Sequence, residues 1–275
     1  MAKISVIIPC YNHGEYIEEA VESVLGQTYQ DIEIIIINDG STDELTNRLL
    51  SGYTKPKTRV LATPHQGLAD ARNEGIKESR GEYILPLDAD DTIGSRYAEE
   101  AVKILDNDAN VGIVYCEAEM FGEKTGRWNL REYSLQHELV GNRIFCSAFF
   151  RRQDWEAAGG YNPNMLYGYE DWDLWLSLIE LGRGVYKLPE VHFFYRVRKD
   201  SMVQKIDEEK RRFLLRQIYL NHLPLYGREF PDPINLYLDN QQLNNSYDAI
   251  RKSKDYALGK FILDPLRVLK RFILK

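Results

Sequence analysis

The chain has 275 residues, 44% apolar, 12% aromatic and 28% charged, the proportions of a globular protein near the size limit of one hydrophobic core. Its net charge of −7 excludes general nucleic-acid binding, which needs a basic footprint. No run approaches the roughly 18 apolar residues of a membrane span, and Met1–Pro9 is too short an apolar run for a secretory signal, so a cytoplasmic location is expected.

The first predicted element is a strand, Ile4–Ile8, apolar and β-branched throughout and so expected to be buried on both faces. It runs into Pro9-Cys-Tyr-Asn12. A helix follows at Glu15–Leu25, with Val21, Val24 and Leu25 on one side. The second strand, Ile32–Ile37, leads into Asn38-Asp-Gly-Ser-Thr-Asp43. Asp39 before Gly40 places a carboxylate at a tight turn, where it can accept bonds from a base or a ribose. An ordinary turn followed by a helix N-cap uses the same residue types. The helix Asp43–Leu50 and the strand Arg59–Ala62 come next.

The helix Gly67–Lys77 carries Asp70, Arg72 and Asn73. Two readings stand for it: an amphipathic helix with a solvated arginine, or Asp70 and Arg72 beside a nucleotide. The fourth strand, Tyr83–Leu87, ends in Leu85-Pro-Leu-Asp-Ala-Asp-Asp91. Three carboxylates in four positions repel one another unless a cation or solvent compensates them. Read as an extended segment, this stretch sets Asp88 and Asp90 on one side, a spacing that suits a ribose contact and a divalent ion on a diphosphate.

The helix Tyr97–Leu105 and the strand Gly112–Cys116 complete the regular part, and from about Met120 the pattern loosens. A strong helix follows at Glu170–Leu181, then strands at Gly184–Leu188 and Val191–Val197 and a charged helix at Asp207–Leu220. The helix head, Gly168-Tyr-Glu-Asp-Trp-Asp-Leu-Trp175, crowds Glu170, Asp171 and Asp173 where the macrodipole favours negative charge. Asp173 reads as capping, whereas Asp171 has what a general base needs. Trp172 and Trp175 read first as core, with a flat face for a sugar as the other reading.

Strands alternating with helices imply an α/β fold with a mostly parallel central sheet, whose ligands sit beyond the carboxyl ends of the strands. The ordered set Ser5–Asn12, Asn38–Asp43, Gly67–Ile76, Leu87–Asp91 and Gly159-Gly-Tyr161 through Asp171 resembles glycosyltransferase family 2, the inverting nucleotide-sugar transferases of GT-A (Rossmann-like) fold. The likeness covers about the first 200 residues. It implies a donor site at Pro9, Tyr11, Asn12, Asp39, Asp70, Arg72 and Asp88, and Mn²⁺ or Mg²⁺ at Asp90. It also implies Asp171 as the catalytic base, with Glu170 and Trp172 toward the acceptor. The expected domain is 1–205, with a nucleotide-sugar half at 1–118 and an acceptor half at 119–205, and a C-terminal helical extension at 206–275. The implied reaction moves a hexose from a nucleoside-diphosphate sugar, a UDP-sugar first among them, to a saccharide or lipid-linked hydroxyl, as in cell-surface polysaccharide or glycolipid assembly.

One departure stands out: the metal-binding histidine often found in the family is replaced in Tyr195-Arg-Val-Arg198 by Arg198. An arginine cannot ligate a cation, but its fork can bind a diphosphate, so Arg198 joins the donor set. His192 reads as structural. From Arg251 onward eight basic residues face two acidic ones, a net of +6 that leaves −13 for the rest. Asp264-Pro265 reads as an N-cap and first helical position. Leu266, Leu269, Phe272 and Ile273 then form an apolar stripe among Arg267, Lys270, Arg271 and Lys275, suited to docking on the protein or to peripheral contact with an anionic membrane. Two alternatives stay open, a nucleotidyltransferase-like protein and a non-catalytic nucleotide-sugar-binding one. The first lacks the Gly-rich loop it needs after strand one, and the second is supported only by Arg198.

Overall fold

The computed structural model describes residues 2–199, 201, 206–230 and 232–273. They divide into two compact units, Met1–Leu225 and Tyr226–Lys275. In the first unit, β1 (Ile4–Cys10), β2 (Ile32–Asp39), β3 (Thr58–Thr63) and β4 (Tyr83–Pro86) lie parallel in the order β3-β2-β1-β4. All seven residues of β1 are buried, which explains its unbroken apolar sequence. The connecting helices are α1 (Ile17–Leu25), α2 (Glu44–Ser51) and α3 (Leu68–Lys77). Asp43 caps α2, its Oδ1 accepting from Thr46 N at 2.8 Å. Helix α3 lies so close to the sheet that a Cβ on Gly75 would stand 2.5 Å from Ile7 Cγ2.

The sheet continues with β8 (Phe149–Arg151), β6 (Val111–Gly122), β9 (Gly184–Val197) and the short β5 (Thr92–Ile93), while β7 (Gly126–Trp128) forms a hairpin with β6. Of these neighbours only β6 and β9 run parallel. The sheet is therefore parallel across its first half and mixed across its second. The stretch from Met120 where the pattern loosens opens with the end of β6 and its hairpin and goes on through short elements before the helix at Glu170. The two strands expected around residues 184–197 are one strand, β9, whose register against β6 shifts between Tyr115 and Glu117. Pro189 sits at that shift, where its missing N–H can be left out of the ladder.

Helices α4 (Tyr97–Asn107), α5 (Leu135–Leu139), α6 (Arg152–Ala158) and α7 (Glu170–Glu180) complete the packing. Helix α7 is apolar on most sides and correspondingly buried at Trp172, Leu174, Trp175, Leu176, Leu178 and Ile179. Next, α8 (Glu208–Asn221) is capped by Asp207, whose Oδ1 accepts from Lys210 N at 2.8 Å. It buries Leu214 and Ile218, and α9 (Leu223–Glu229) buries Leu225. These apolar residues carry the first unit to Leu225, past residue 205.

The second unit holds α10 (Pro233–Lys252) and α11 (Lys254–Ile273). Helix α11 does not begin at Asp264. The Ser253 hydroxyl accepts from Tyr256 N at 3.1 Å and opens the helix there, so Asp264 and Pro265 fall inside it. The side chains of the expected stripe (Leu266, Leu269, Phe272, Ile273) and of Arg267, Lys270, Arg271 and Lys275 lie outside the described residues. Among those described, no helix is long and apolar enough to cross a membrane.

Candidate active site

The register that pairs Cys10 with Asn38 sets the loops after β1 and β2 side by side. Pro9 is a buried member of β1 opposite Ile37. Tyr11 is exposed, and its ring stacks on His65 with centroids 4.1 Å apart. Asn12 adopts φ 58° and stitches the two loops together: its Oδ1 accepts from Thr42 N at 2.7 Å and Asp43 N at 3.1 Å, and its Nδ2 donates to Thr42 Oγ1. Asp39 is only 3% exposed. Its carboxylate accepts from Gln66 N at 3.0 Å, Gly67 N at 3.2 Å and His65 Nδ1 at 2.8 Å, so it organises the loop that enters α3. Gly40 supplies the turn, with φ +62° and a Cβ position only 2.6 Å from His65 N.

The acidic loop after β4 is a turn, closed by Asp91 N to Asp88 O at 3.0 Å, and not an extended segment. Asp88 and Asp90 consequently meet different partners. Asp88 Oδ1 pairs with Arg72 NH2 at 2.7 Å, and its Oδ2 lies 3.5 Å from Cys146 Sγ. Asp90 Oδ2 lies 2.7 Å from Arg198 Nε, and Arg198 NH2 bonds His13 Nε2 at 3.1 Å. Burial raises the Asp90 carboxyl above its ordinary value, and Asp88 adds to this while Arg198 opposes it. Asp91, fully buried, accepts from Arg196 N at 2.8 Å, and burial with Asp90 and Asp88 nearby lifts it well above the carboxylate range. Asp90 and His13 thus present a carboxylate oxygen and an imidazole nitrogen to one cation, a donor set that fits a divalent ion.

Arg72 is neither solvated nor open to a ligand. It is completely buried, bonded to Asp88 and Glu170, with its guanidinium 5.5 Å from the Tyr161 ring centroid. Glu170 is consequently buried against Arg72 and, at 5% exposure, offers an acceptor almost no surface. Trp172 is core as well: it is 2% exposed and donates from Nε1 to Glu138 O at 2.8 Å, which removes it from acceptor contact. Asp173 does not cap α7; its Oδ1 accepts from Asn221 Nδ2 at 2.6 Å and tethers α8. Asp70 stands half-buried in the first turn of α3.

Asp171 remains half-open at the head of α7, behind Gly168 and a left-handed Tyr169 at φ 63°. Its Oδ2 accepts from Asn142 Nδ2 at 3.0 Å, and its Oδ1 from Trp172 N at 2.8 Å. Burial and then Glu170 push its pKa up to about 7, against the pull of Arg72, Trp172 N and Asn142. A carboxylate poised there can take a proton at neutral pH. Glu138 on α5 is buried nearby and pushed up to about 8, chiefly by burial, with its Oε2 accepting from Arg143 N at 2.9 Å. Asn142, Glu138, His13 and His65 escaped the sequence reading; only the His-Gly pair at His13-Gly14, beside the first junction, offered a local hint.

A separate group lies between α4 and β9, where ligand atoms of Glu100, Glu190 and His192 come within 4.8 Å of one another. Glu100 already contacts Arg96 NH2 at 3.1 Å and His192 Nε2 at 3.0 Å, and the group lies apart from the carboxylates above.

The model of glycosyl transferase family 2 matches residues 5–172. The chain is 26% identical over 270 residues to a chondroitin synthase of Pasteurella multocida (strain Pm70), covering 94% of this chain and 26% of that protein. It is 30% identical over 187 residues to a hyaluronan synthase of Pasteurella multocida, covering 66% of this chain and 19% of that one. The chain thus spans about a quarter or less of the length of these relatives. Among solved structures, S. aureus TarS 1–349 in complex with UDP-GlcNAc shares the fold, with a TM-score of 0.66 and 18% identity over 80% of this chain and 66% of that one.

Proposed function

The chain belongs to glycosyl transferase family 2, and from that premise we propose that it transfers a sugar from a UDP-sugar to an acceptor hydroxyl with inversion, Asp171 acting as the base. The observation that carries this reading is the state of Asp171: a half-buried carboxylate at the head of α7, lifted to about 7 by burial and held in place by Asn142. Asp171 takes the proton of the acceptor hydroxyl as that oxygen bonds to the anomeric carbon from the side opposite the leaving group. The bond from that carbon to the diphosphate oxygen breaks, its electron pair leaves with the diphosphate, and in-line displacement inverts the carbon.

Tyr11, stacked on His65, offers an exposed flat face for the uracil, and Asp39 and Asp70 border that end of the site. Asp88 reaches toward the ribose, its orientation set by Arg72. Asp90, with Arg198 beside it, would face the diphosphate; there Asp90 would hold a Mn²⁺ or Mg²⁺, which would supply positive charge to offset that of the departing group. On this reading residues 1–118 carry the donor and 119–205 shape the acceptor side. Support for a UDP-sugar comes from the TarS fold, solved with UDP-GlcNAc, and from the two polysaccharide synthases. A saccharide or lipid-linked acceptor follows from the same likeness, with the basic tail at a cytoplasmic membrane face.

The test pairs donor binding with turnover. A panel of UDP-sugars in a thermal-shift assay with Mn²⁺ identifies the donor. Asp171→Asn should then keep donor affinity within about twofold while losing at least about a thousandfold in transfer, an estimate near the middle of the range for a general base. Comparable turnover by this variant sinks the assignment.

A further inference from the structure

Just past the end of β9 an organic cation meets two atoms of kinds that can ligate metals. Arg198 Nε lies 2.7 Å from Asp90 Oδ2, and Arg198 NH2 donates to His13 Nε2 at 3.1 Å. Asp90 comes from the turn after β4 and His13 from the loop after β1, so the two ligand atoms converge from separate elements. The pair is sheltered, with the Asp90 and Arg198 side chains 13% and 15% exposed and the Tyr16 ring centroid 5.3 Å from the guanidinium carbon. Carboxylate oxygen and neutral imidazole nitrogen are ordinary ligands of Mn²⁺. A divalent ion and a guanidinium cannot share Asp90 Oδ2 without strong like-charge repulsion.

We propose that Asp90 and His13 form a divalent-cation site that Arg198 fills in the nucleotide-free protein, and that a nucleoside diphosphate draws Arg198 off so that cation capture depends on the nucleotide. The proposal rests on the reading of Asp90 as the donor-diphosphate end of the site. A diphosphate supplies what Arg198 needs in exchange: its oxygens accept the planar fork of a guanidinium in a bidentate way, and its charge accommodates both the arginine and the metal. Linkage then requires reciprocity, so that whatever factor the nucleotide adds to cation affinity the cation adds to nucleotide affinity.

Free Mn²⁺ measured by electron paramagnetic resonance reads this out without turnover. Wild-type protein should bind Mn²⁺ weakly alone and about tenfold or more tightly with UDP, a factor that corresponds to about 1.4 kcal/mol. Both Arg198→Ala and Arg198→Gln should bind Mn²⁺ without nucleotide about tenfold more tightly than wild type, and adding His13→Ala should remove that gain. The glutamine variant keeps the side chain's bulk if the alanine variant fails to fold. Nucleotide-free affinity unchanged in both arginine variants, a gain that survives His13→Ala, or wild-type affinity indifferent to UDP would each overturn the proposal. Wild-type protein that binds no UDP at all would instead sink the transferase reading, and the nucleotide-free arms would still decide this one.

Discussion

Asn142 offers the sharpest way to perturb the base without touching it. Its Nδ2 donates to Asp171 Oδ2 at 3.0 Å and helps hold the carboxylate in its charged form. Asn142→Ala removes that bond. A hydrogen bond to a charged group is worth about 1.5–3 kcal/mol, and both residues are half-buried, so the lower end applies. Roughly 1.4 kcal/mol is one pKa unit, which moves Asp171 from about 7 to about 8. A general base works ionised. At pH 7 about half the wild-type carboxylates qualify and about a tenth of the variant's, so kcat/KM at that pH should fall about fivefold. Near pH 9 both are mostly ionised, and the two rates should converge. The assay is kcat/KM between about pH 5.5 and 9.5 for the transferred sugar. A uniform loss at every pH, with the midpoint unmoved, would mean that Asn142 shapes the pocket without tuning the base.

Two further predictions concern what holds the site together. Arg72→Met should leave Asp88 and Glu170 facing each other without their common counter-charge; breaking a buried pair costs about 3–5 kcal/mol, and at this size that lowers Tm by roughly 10 °C. Arg72→Lys should recover part of the loss, and a methionine variant melting with wild type would show the bridge to be dispensable. His222 gives a pH dependence: burial works against its charged form, but Asp173 Oδ1 at 3.4 Å and Glu180 Oε2 at 3.2 Å raise its pKa above the model-compound 6.5. A raised folded-state value means that this stabilisation is complete below about 6.5 and fades as pH rises through the folded value. Urea unfolding across that window should show wild type losing stability with rising pH and His222→Gln losing less; identical slopes would refute a stabilising role for these His222 contacts.

The regular half of the fold was legible because each strand announces itself. Ile4–Ile8 and Ile34–Ile37 are buried on both faces, and a run rich in β-branched residues has few other places to go. The position of Asp171 in the first turn of α7 was legible too, since a helix head rich in acid is local information. Arg72 was not. Its sequence is that of an amphipathic helix, and what buries it is Glu170, 98 residues away. Asn142 and Glu138 belong to a stretch without periodicity, around a helix of five residues, where no pattern separates a site residue from a loop residue. The turn at Asp88–Asp91 was misjudged for a related reason: after four residues of β4 the chain has left the sheet, and the period-2 rule no longer says where side chains face.

The acidic loop also shows how a correct demand can be met by an unforeseen supplier. Carboxylates crowded after β4 had to be compensated, and a metal ion or solvent were the compensators considered from sequence. The fold gives each one a partner from a distant segment: Arg72 of α3 to Asp88, Arg198 to Asp90, and the backbone N–H of Arg196 to Asp91. The three attachments differ in kind. Arg72 is sealed in by Glu170 and Tyr161, and the Arg196 contact is part of the chain itself, so neither can leave without unfolding. Arg198 stands near the end of β9 against a histidine and a carboxylate, and of the three attachments it is the one the proposal above treats as exchangeable. The Arg72 guanidinium at Asp88 and the Arg196 N–H at Asp91 fix the shape of the loop; if Arg198 exchanges as proposed, Asp90 is left as the place where a diphosphate and its cation can be received.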